Sequence, residues 1–142
     1  MCSAAKDNPT YVTALPLQPT VLSQGQSGEA KLSLKIAKGF HVQANPAVSK
    51  NYIPTTVTVD QVPGVVWGEP KYPPGKPYKM AKASSEILVY DGLVEINLPI
   101  KVMSDAKRGL QKSQAKLRYQ ACDDKNCFFP TTLALTLPFK IE

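Results

Sequence analysis

The chain predicts an all-β sandwich of immunoglobulin type, and three observations carry that prediction. Short segments of period-two alternation recur along it, bounded by Gly, Pro, Asn and Asp. Its 13 prolines are about twice the usual share of ~5%, which leaves little room for long helices and suits strand ends, edges and loops. No segment sustains a helical period. About seven to nine short strands with turn signals between them fit a sandwich. With 142 residues and 43% hydrophobic content, a single domain with its own core is expected over residues 10–142, preceded by a flexible tail over residues 1–9.

Tyr11–Leu17 reads as a first strand, broken by Pro16 and Pro19. Gln24–Gly28 is a turn that leads into Glu29–Ala37, where Leu32, Leu34 and Ile36 alternate with Lys31, Ser33 and Lys35. Lys38-Gly39 turns, Phe40–Gln43 is short and extended, and Asn45–Pro54 is loop. Thr55–Val62 is a strand, Pro63-Gly64 a turn, and Val65–Trp67 a further extended piece with Trp67 read as core. Gly68–Tyr78 is so rich in proline that no sheet pairing is expected of it; long loops of this kind inside compact domains are usually functional. Glu86–Tyr90 and Leu93–Val102 are strands joined at Asp91-Gly92, a strong hairpin signal. In the second, Val94, Ile96, Leu98, Ile100 and Val102 share one face. Ser104–Ser113 reads as loop.

The last segment carries the chemistry. Leu117, Tyr119 and Ala121 alternate with polar neighbours before Cys122, and Leu133, Leu135, Leu137 and Phe139 alternate after Cys127, with Asp123-Asp-Lys-Asn126 between the cysteines. Two strands joined by a tight hairpin, with Cys122 and Cys127 facing across its mouth, are expected. Opposed residues in an antiparallel pair lie about 4.5–5.5 Å apart at Cα, within the range a disulfide accepts. A loop this short stabilises by only about 2 kcal/mol, so the bond is a weak staple and a redox role stays open beside an inert clip. Strand parity places Cys122 on the outward phase with Arg118 and Gln120, so at least one sulfur is expected near the surface. Asp123 and Asp124 beside Cys122 disfavour its thiolate.

Other classes are disfavoured. The net charge of +6 comes from basic residues spread along the chain, only two of them arginine, without a nucleic-acid motif. No run approaches the ~20 apolar residues of a membrane span. No hydrolase triad, phosphate loop or paired-carboxylate signature is present, and no cofactor is expected. Only His41 and Cys2 could complete a zinc site with the cysteine pair, whose spacing is at the edge of the usual range. A cysteine pair outside a metal motif suits an oxidising compartment, and a start without a signal peptide fits a mature form. The opening Met1-Cys2-Ser3-Ala4-Ala5 reads either as a processed lipoprotein start, with a lipid tether at Cys2, or as an unmodified terminus.

Tyr119-Gln120-Ala121-Cys122, Cys127-Phe128-Phe129-Pro130, the Gly39–Val42 turn-strand and Pro54–Val59 together resemble the N-terminal periplasmic domain of the thiol:disulfide interchange protein DsbD, over roughly residues 10–141. The resemblance implies an immunoglobulin-like sandwich whose Cys122–Cys127 pair shuttles between dithiol and disulfide. The electrons would come from a thioredoxin-like domain and pass to periplasmic thioredoxin-fold partners. A cap loop is implied over Glu69–Lys76, with Tyr72 the ring over the sulfurs, Pro73 beside it, and Glu69 placed to bias thiol acidity. Phe128, Phe129 and Pro130 would form an apolar docking collar with Phe40 nearby, and Cys127 is the favoured point of attack. His41 is either a proton-handling neighbour of the sulfurs or an ordinary polar residue of the sheet. A monomer is expected, with membrane contact only through Cys2 or a membrane domain elsewhere. The chain departs from the family in an insert between the cysteines that is shorter by a single residue. No thioredoxin-like region follows Glu142 in this sequence, so the electron supply is expected from another chain or another part of a longer protein.

Overall fold

The computed structural model describes residues 11–142. The tail expected over residues 1–9 and the lipid tether at Cys2 lie outside the described residues. In chain order the strands are β1 (Val12–Ala14), β2 (Thr20–Leu22), β3 (Ser27–Ile36), β4 (His41–Gln43), β5 (Thr56–Val59), β6 (Val65–Trp67), β7 (Lys76–Tyr78), β8 (Ile87–Tyr90), β9 (Leu93–Val102), β10 (Gly109–Tyr119), β11 (Ala121–Cys122) and β12 (Thr131–Ile141). There is no helix among the described residues. The strands form three four-stranded sheets with the orders β1-β3-β9-β6, β2-β12-β10-β5 and β11-β4-β8-β7, curled into an immunoglobulin-like sandwich.

Alternation builds the first two sheets. Lys31 and Lys35 of β3 face solvent while Leu32, Leu34 and Ile36 are buried. Opposite them the five same-face residues of β9, Val94 to Val102, are all buried. Burying each such side chain contributes about 1.5–3 kcal/mol. Leu117 and Tyr119 of β10 and Leu135, Leu137, Phe139 and Ile141 of β12 supply the facing layer. Trp67 joins the two layers as the core residue expected of it. Its indole meets Phe139 edge-on at 6.1 Å, and its Nε1 donates to Ser113 Oγ at 2.8 Å.

Three expectations are corrected. Asp91-Gly92 does not close a β-hairpin: β8 and β9 lie in different sheets, each flanked on both edges by other strands. Gly92, at φ +65°, turns the chain across, and its carbonyl accepts the Ile36 N–H at 2.8 Å. The local turn signal specifies a reversal; the free edges decide the pairing. Second, the proline-rich stretch does pair. Its end forms β7 on β8, and Lys71 bridges Asn97; an edge strand leaves one side unpaired, which tolerates the N–H that Pro77 lacks. Third, Gly109–Ser113 is strand and not loop, because β12 is long enough to pair with it throughout and Ser113 is drawn inward by Trp67.

Candidate functional site

The chain reaches the site by changing sheets. β10 pairs with β12 as far as Tyr119↔Thr131, making a C-terminal hairpin whose connection is longer than the tight turn expected. At Gln120 the chain leaves that ladder, and Ala121 and Cys122 pair instead with Val42 and His41 of β4. Gln120 anchors the break: its carbonyl accepts Gln43 N–H at 3.2 Å, and its Oε1 accepts Ile53 N–H at 3.1 Å. The cysteines therefore lie in the hairpin's connection, carried on the third sheet. Asp123 shapes the turn between them, its Oδ1 accepting Lys125 N–H at 2.8 Å and Asn126 N–H at 2.7 Å. Those bonds, Asn126 first, hold the Asp123 carboxyl below its ordinary value. Phe128 N–H returns to Ala121 C=O at 2.8 Å. Cys122 and Cys127 face each other in an isolated antiparallel bridge and are joined as a disulfide, with Cα atoms 4.0 Å apart.

The two sulfurs have opposite surroundings. Cys122 is fully buried, at 0% exposure, whereas Cys127 is exposed. A sulfur is thus near the surface as expected, but the parity that put Cys122 outward is overturned. The break at Gln120 resets the period, so Ala121 and Cys122 are both buried.

Around Cys122 the third sheet is unexpectedly polar. Gln43, also 0% exposed, directs Nε2 at Cys122 Sγ, 3.6 Å away. His41 is the register partner of Cys122, so its expected nearness to the sulfurs is found. It is buried, and burial holds its pKa below 6.5 against the opposing pull of Asp91, Asp123 and Asp124. His41 Nε2 and Gln43 Oε1 are buried without a hydrogen-bond partner.

Beside the cysteine turn lie the end of β7 and the segment that follows it. Met80 Sδ is 4.0 Å from Cys127 Sγ. Tyr78 packs its ring on His41 at 4.4 Å and donates its hydroxyl to Asp124 Oδ1 at 2.7 Å, a bond that raises the phenol's pKa. Ala81 N–H donates to Asp124 C=O at 3.0 Å. Gly75 lets this arm lie close to β8 and to the residue after β4, since a Cβ there would sit 2.6 Å from Ala44 Cβ and 2.9 Å from Leu88 Cβ.

The cap residues read from the sequence are displaced. The Tyr72 hydroxyl accepts Val57 N–H at 2.9 Å, and neither groove that Tyr72 lines includes a cysteine. Glu69 is exposed in one of those grooves, where its charge acts on Tyr72. Pro73 offers its carbonyl to Tyr90 OH at 2.7 Å. The contacts over the disulfide come from Tyr78, Met80 and Ala81, because the chain meets the cysteine turn only at the end of the proline-rich stretch, as it leaves β7. Of the expected collar only Phe128 is drawn into a cluster, while Phe129 and Pro130 are exposed: Phe128 stacks on Tyr11 at 5.2 Å, and Phe40 lies 4.6 Å from Tyr11 and 6.3 Å from Phe128. Phe129 projects alone, 92% exposed. Met80 had no signal in the sequence. Gln43 had a weak one, a second polar residue two positions from His41 on the same short strand. Among the described residues no group of three or more His, Cys, Asp or Glu is arranged to hold a metal ion.

The class of molecule is an all-β domain that carries one buried and one exposed cysteine in a single short-loop disulfide. The family described as "Thiol:disulfide interchange protein DsbD, N-terminal" matches residues 12–138, and the chain belongs to that family. Among solved structures it is similar to the N-terminal periplasmic domain of ScsB from Proteus mirabilis. That match has 17% identity and a TM-score of 0.53, and covers 89% of this chain and 44% of that one. The chain thus spans less than half the length of that relative. Looser likenesses are to a family 123 glycoside hydrolase from Clostridium perfringens (10% identity, TM-score 0.41, covering 87% and 22%) and to AggA, a fimbrial major subunit from Escherichia coli (11%, 0.38, covering 94% and 95%). No curated protein sequence matches the chain. Among the described residues no helix is long and apolar enough to cross a membrane.

Proposed function

We propose that this is a periplasmic thiol:disulfide exchange domain. In this reading the Cys122–Cys127 pair takes electrons from a thioredoxin-like donor and hands them to oxidised thioredoxin-fold partners, and the domain works as a monomer. A lipid at Cys2 or a membrane domain elsewhere in a longer protein would hold it near its donor. The observation that carries the reading is the unequal burial of the two cysteines. Exchange proceeds by in-line attack of a thiolate on one sulfur while the other leaves, and Cys127 is the exposed residue of the pair. A partner thiolate bonds to Cys127 Sγ, and the Cys122–Cys127 bond breaks with its electron pair on Cys122. The partner's second thiolate then releases Cys127, leaving the domain as dithiol and the partner as disulfide. Passing electrons onward runs the same steps in reverse.

The surroundings suit this task. Asp123 and Asp124 make the pair a poor spontaneous nucleophile in free solution. Met80 covers the open sulfur until a partner displaces it, and Phe129, with the Tyr11–Phe40–Phe128 cluster behind it, gives that partner an apolar foothold.

Titration of the pair against glutathione and dithiothreitol buffers tests the proposal. An exchange-competent pair has a potential above the roughly −300 mV of structural disulfides. A potential below that, or a bond that a reduced thioredoxin leaves intact, would make the disulfide an inert clip in a binding module.

A further inference from the structure

We infer that the Gln43 side-chain amide is the hydrogen-bond donor that holds the Cys122 sulfur as a thiolate once the disulfide opens. This deepens the exchange reading and rests on it. Gln43 is completely buried, and its Nε2 points at Cys122 Sγ from 3.6 Å. The other end of the same amide, Oε1, has no partner, a cost that a leucine or methionine of similar size would not carry. A strand residue kept polar on those terms calls for an explanation, and the sulfur is its one side-chain partner.

The donor cannot drift. Gln43 N–H donates to Gln120 C=O at 3.2 Å and Gln43 C=O accepts Thr55 N–H at 3.1 Å; Thr55 Oγ1 donates to the same carbonyl at 2.7 Å. The backbone is tied both to the chain entering the cysteine loop and to the chain entering β5.

A disulfide sulfur is a weak acceptor, whereas a thiolate carries a full charge and accepts a charge-assisted bond. The same contact therefore stabilises the opened pair more than the closed one, as a group acting on a leaving atom must. The other titratable neighbours do not supply that help. His41 of β4 is held towards its neutral form by burial and brings no positive charge to the sulfur, Asp123 and Asp124 of the cysteine loop are acidic side chains, and Tyr78 of β7 spends its hydroxyl on Asp124. When a thiolate bonds to Cys127, the electron pair of the broken bond settles on Cys122, next to the amide N–H, and no proton has to arrive in that step.

Gln43→Met keeps the volume and removes the donor. In a Cys127→Ser background, the Cys122 thiol followed by absorbance at 240 nm should titrate about one pH unit higher with Gln43→Met than without it. With both cysteines present, the rate at which dithiothreitol opens the bond should fall about tenfold. Unchanged titration and unchanged rate overturn the inference. Should the variant fold poorly, the Gln43 side-chain amide protons of the unmodified protein decide it by nuclear magnetic resonance: a clear downfield shift on reduction is expected, and identical shifts in both redox states overturn it. The two readings fail separately. A wild-type protein inert towards thioredoxin but with a Gln43-dependent thiol titration loses the relay alone. One that exchanges normally whether residue 43 is Gln or Met loses only the role of Gln43.

Discussion

The two long ladders and the short third sheet divide the labour of this domain. β10 and β12 pair over eleven positions and β3 and β9 over nine, with one apolar face each and charges outside. The third sheet is held by two pairs between β11 and β4, two between β4 and β8, and three between β7 and β8. Both orphaned buried polar atoms among the described residues, His41 Nε2 and Gln43 Oε1, sit there on β4. Each such group costs about 1–3 kcal/mol, a burden that the apolar ladders can offset and the small sheet alone could not. The buried polar groups thus lie where the fold is thinnest, against the apolar body of the two long ladders. Regions that must move or open are drawn from this low-stability end.

Damage to each region should therefore have a different signature. The largest effect belongs to the body: Ile96→Ala, at a site with 0% exposure, should cost about 2–5 kcal/mol. Denaturant melts would read that loss, while the folded fraction should still react with dithiothreitol at its normal rate. A matching loss of reactivity would mean the two regions are one unit. Removing the disulfide with Cys122→Ala and Cys127→Ala should cost about 2 kcal/mol. Amide exchange should quicken most in β4, β8 and β11; uniform quickening would blur the boundary.

Smaller changes sharpen the assignment of the cap. Tyr72→Phe should cost about 1 kcal/mol for the lost bond to Val57 and leave attack by dithiothreitol unchanged. Met80→Ala should speed that attack severalfold by uncovering Cys127. The reverse pattern would return the cap to the proline-rich stretch. The smallest effect is a pH slope. His41 has a pKa lowered by burial, so the unfolded state takes up its proton first as pH falls. The stability His41 contributes is complete above about 6.5 and is lost as pH drops through the lower folded value. His41→Phe should flatten that part of the stability curve, and an unaltered slope would assign it to other groups.

Legibility in the sequence follows the same division. The alternation of β3, β9 and β12 is dense enough to place each strand and its inward face, and Trp67 reads correctly as core because nothing polar competes for it. The pairing of cysteines is legible from spacing. What escapes is whatever depends on the partner across a sheet. Asp91-Gly92 has a hairpin's chemistry, but β8 and β9 find other neighbours. Pro77 looks unfit for a ladder but sits on an edge. Alternation through Ala121 predicts an outward Cys122 only if the strand continues, and Gln120 ends it. Met80 covers a sulfur from a loop without any period, so no local pattern could reveal it.

The burial difference between the two cysteines should also make the reduced domain chemically one-handed. Leaving Cys2 aside, an alkylating reagent such as iodoacetamide should mark one thiol of the native pair, Cys127, and reach Cys122 only when the third sheet comes apart. Mass spectrometry of the adducts would then serve as a gauge of local integrity, one mark for an intact sheet and two for an opened one.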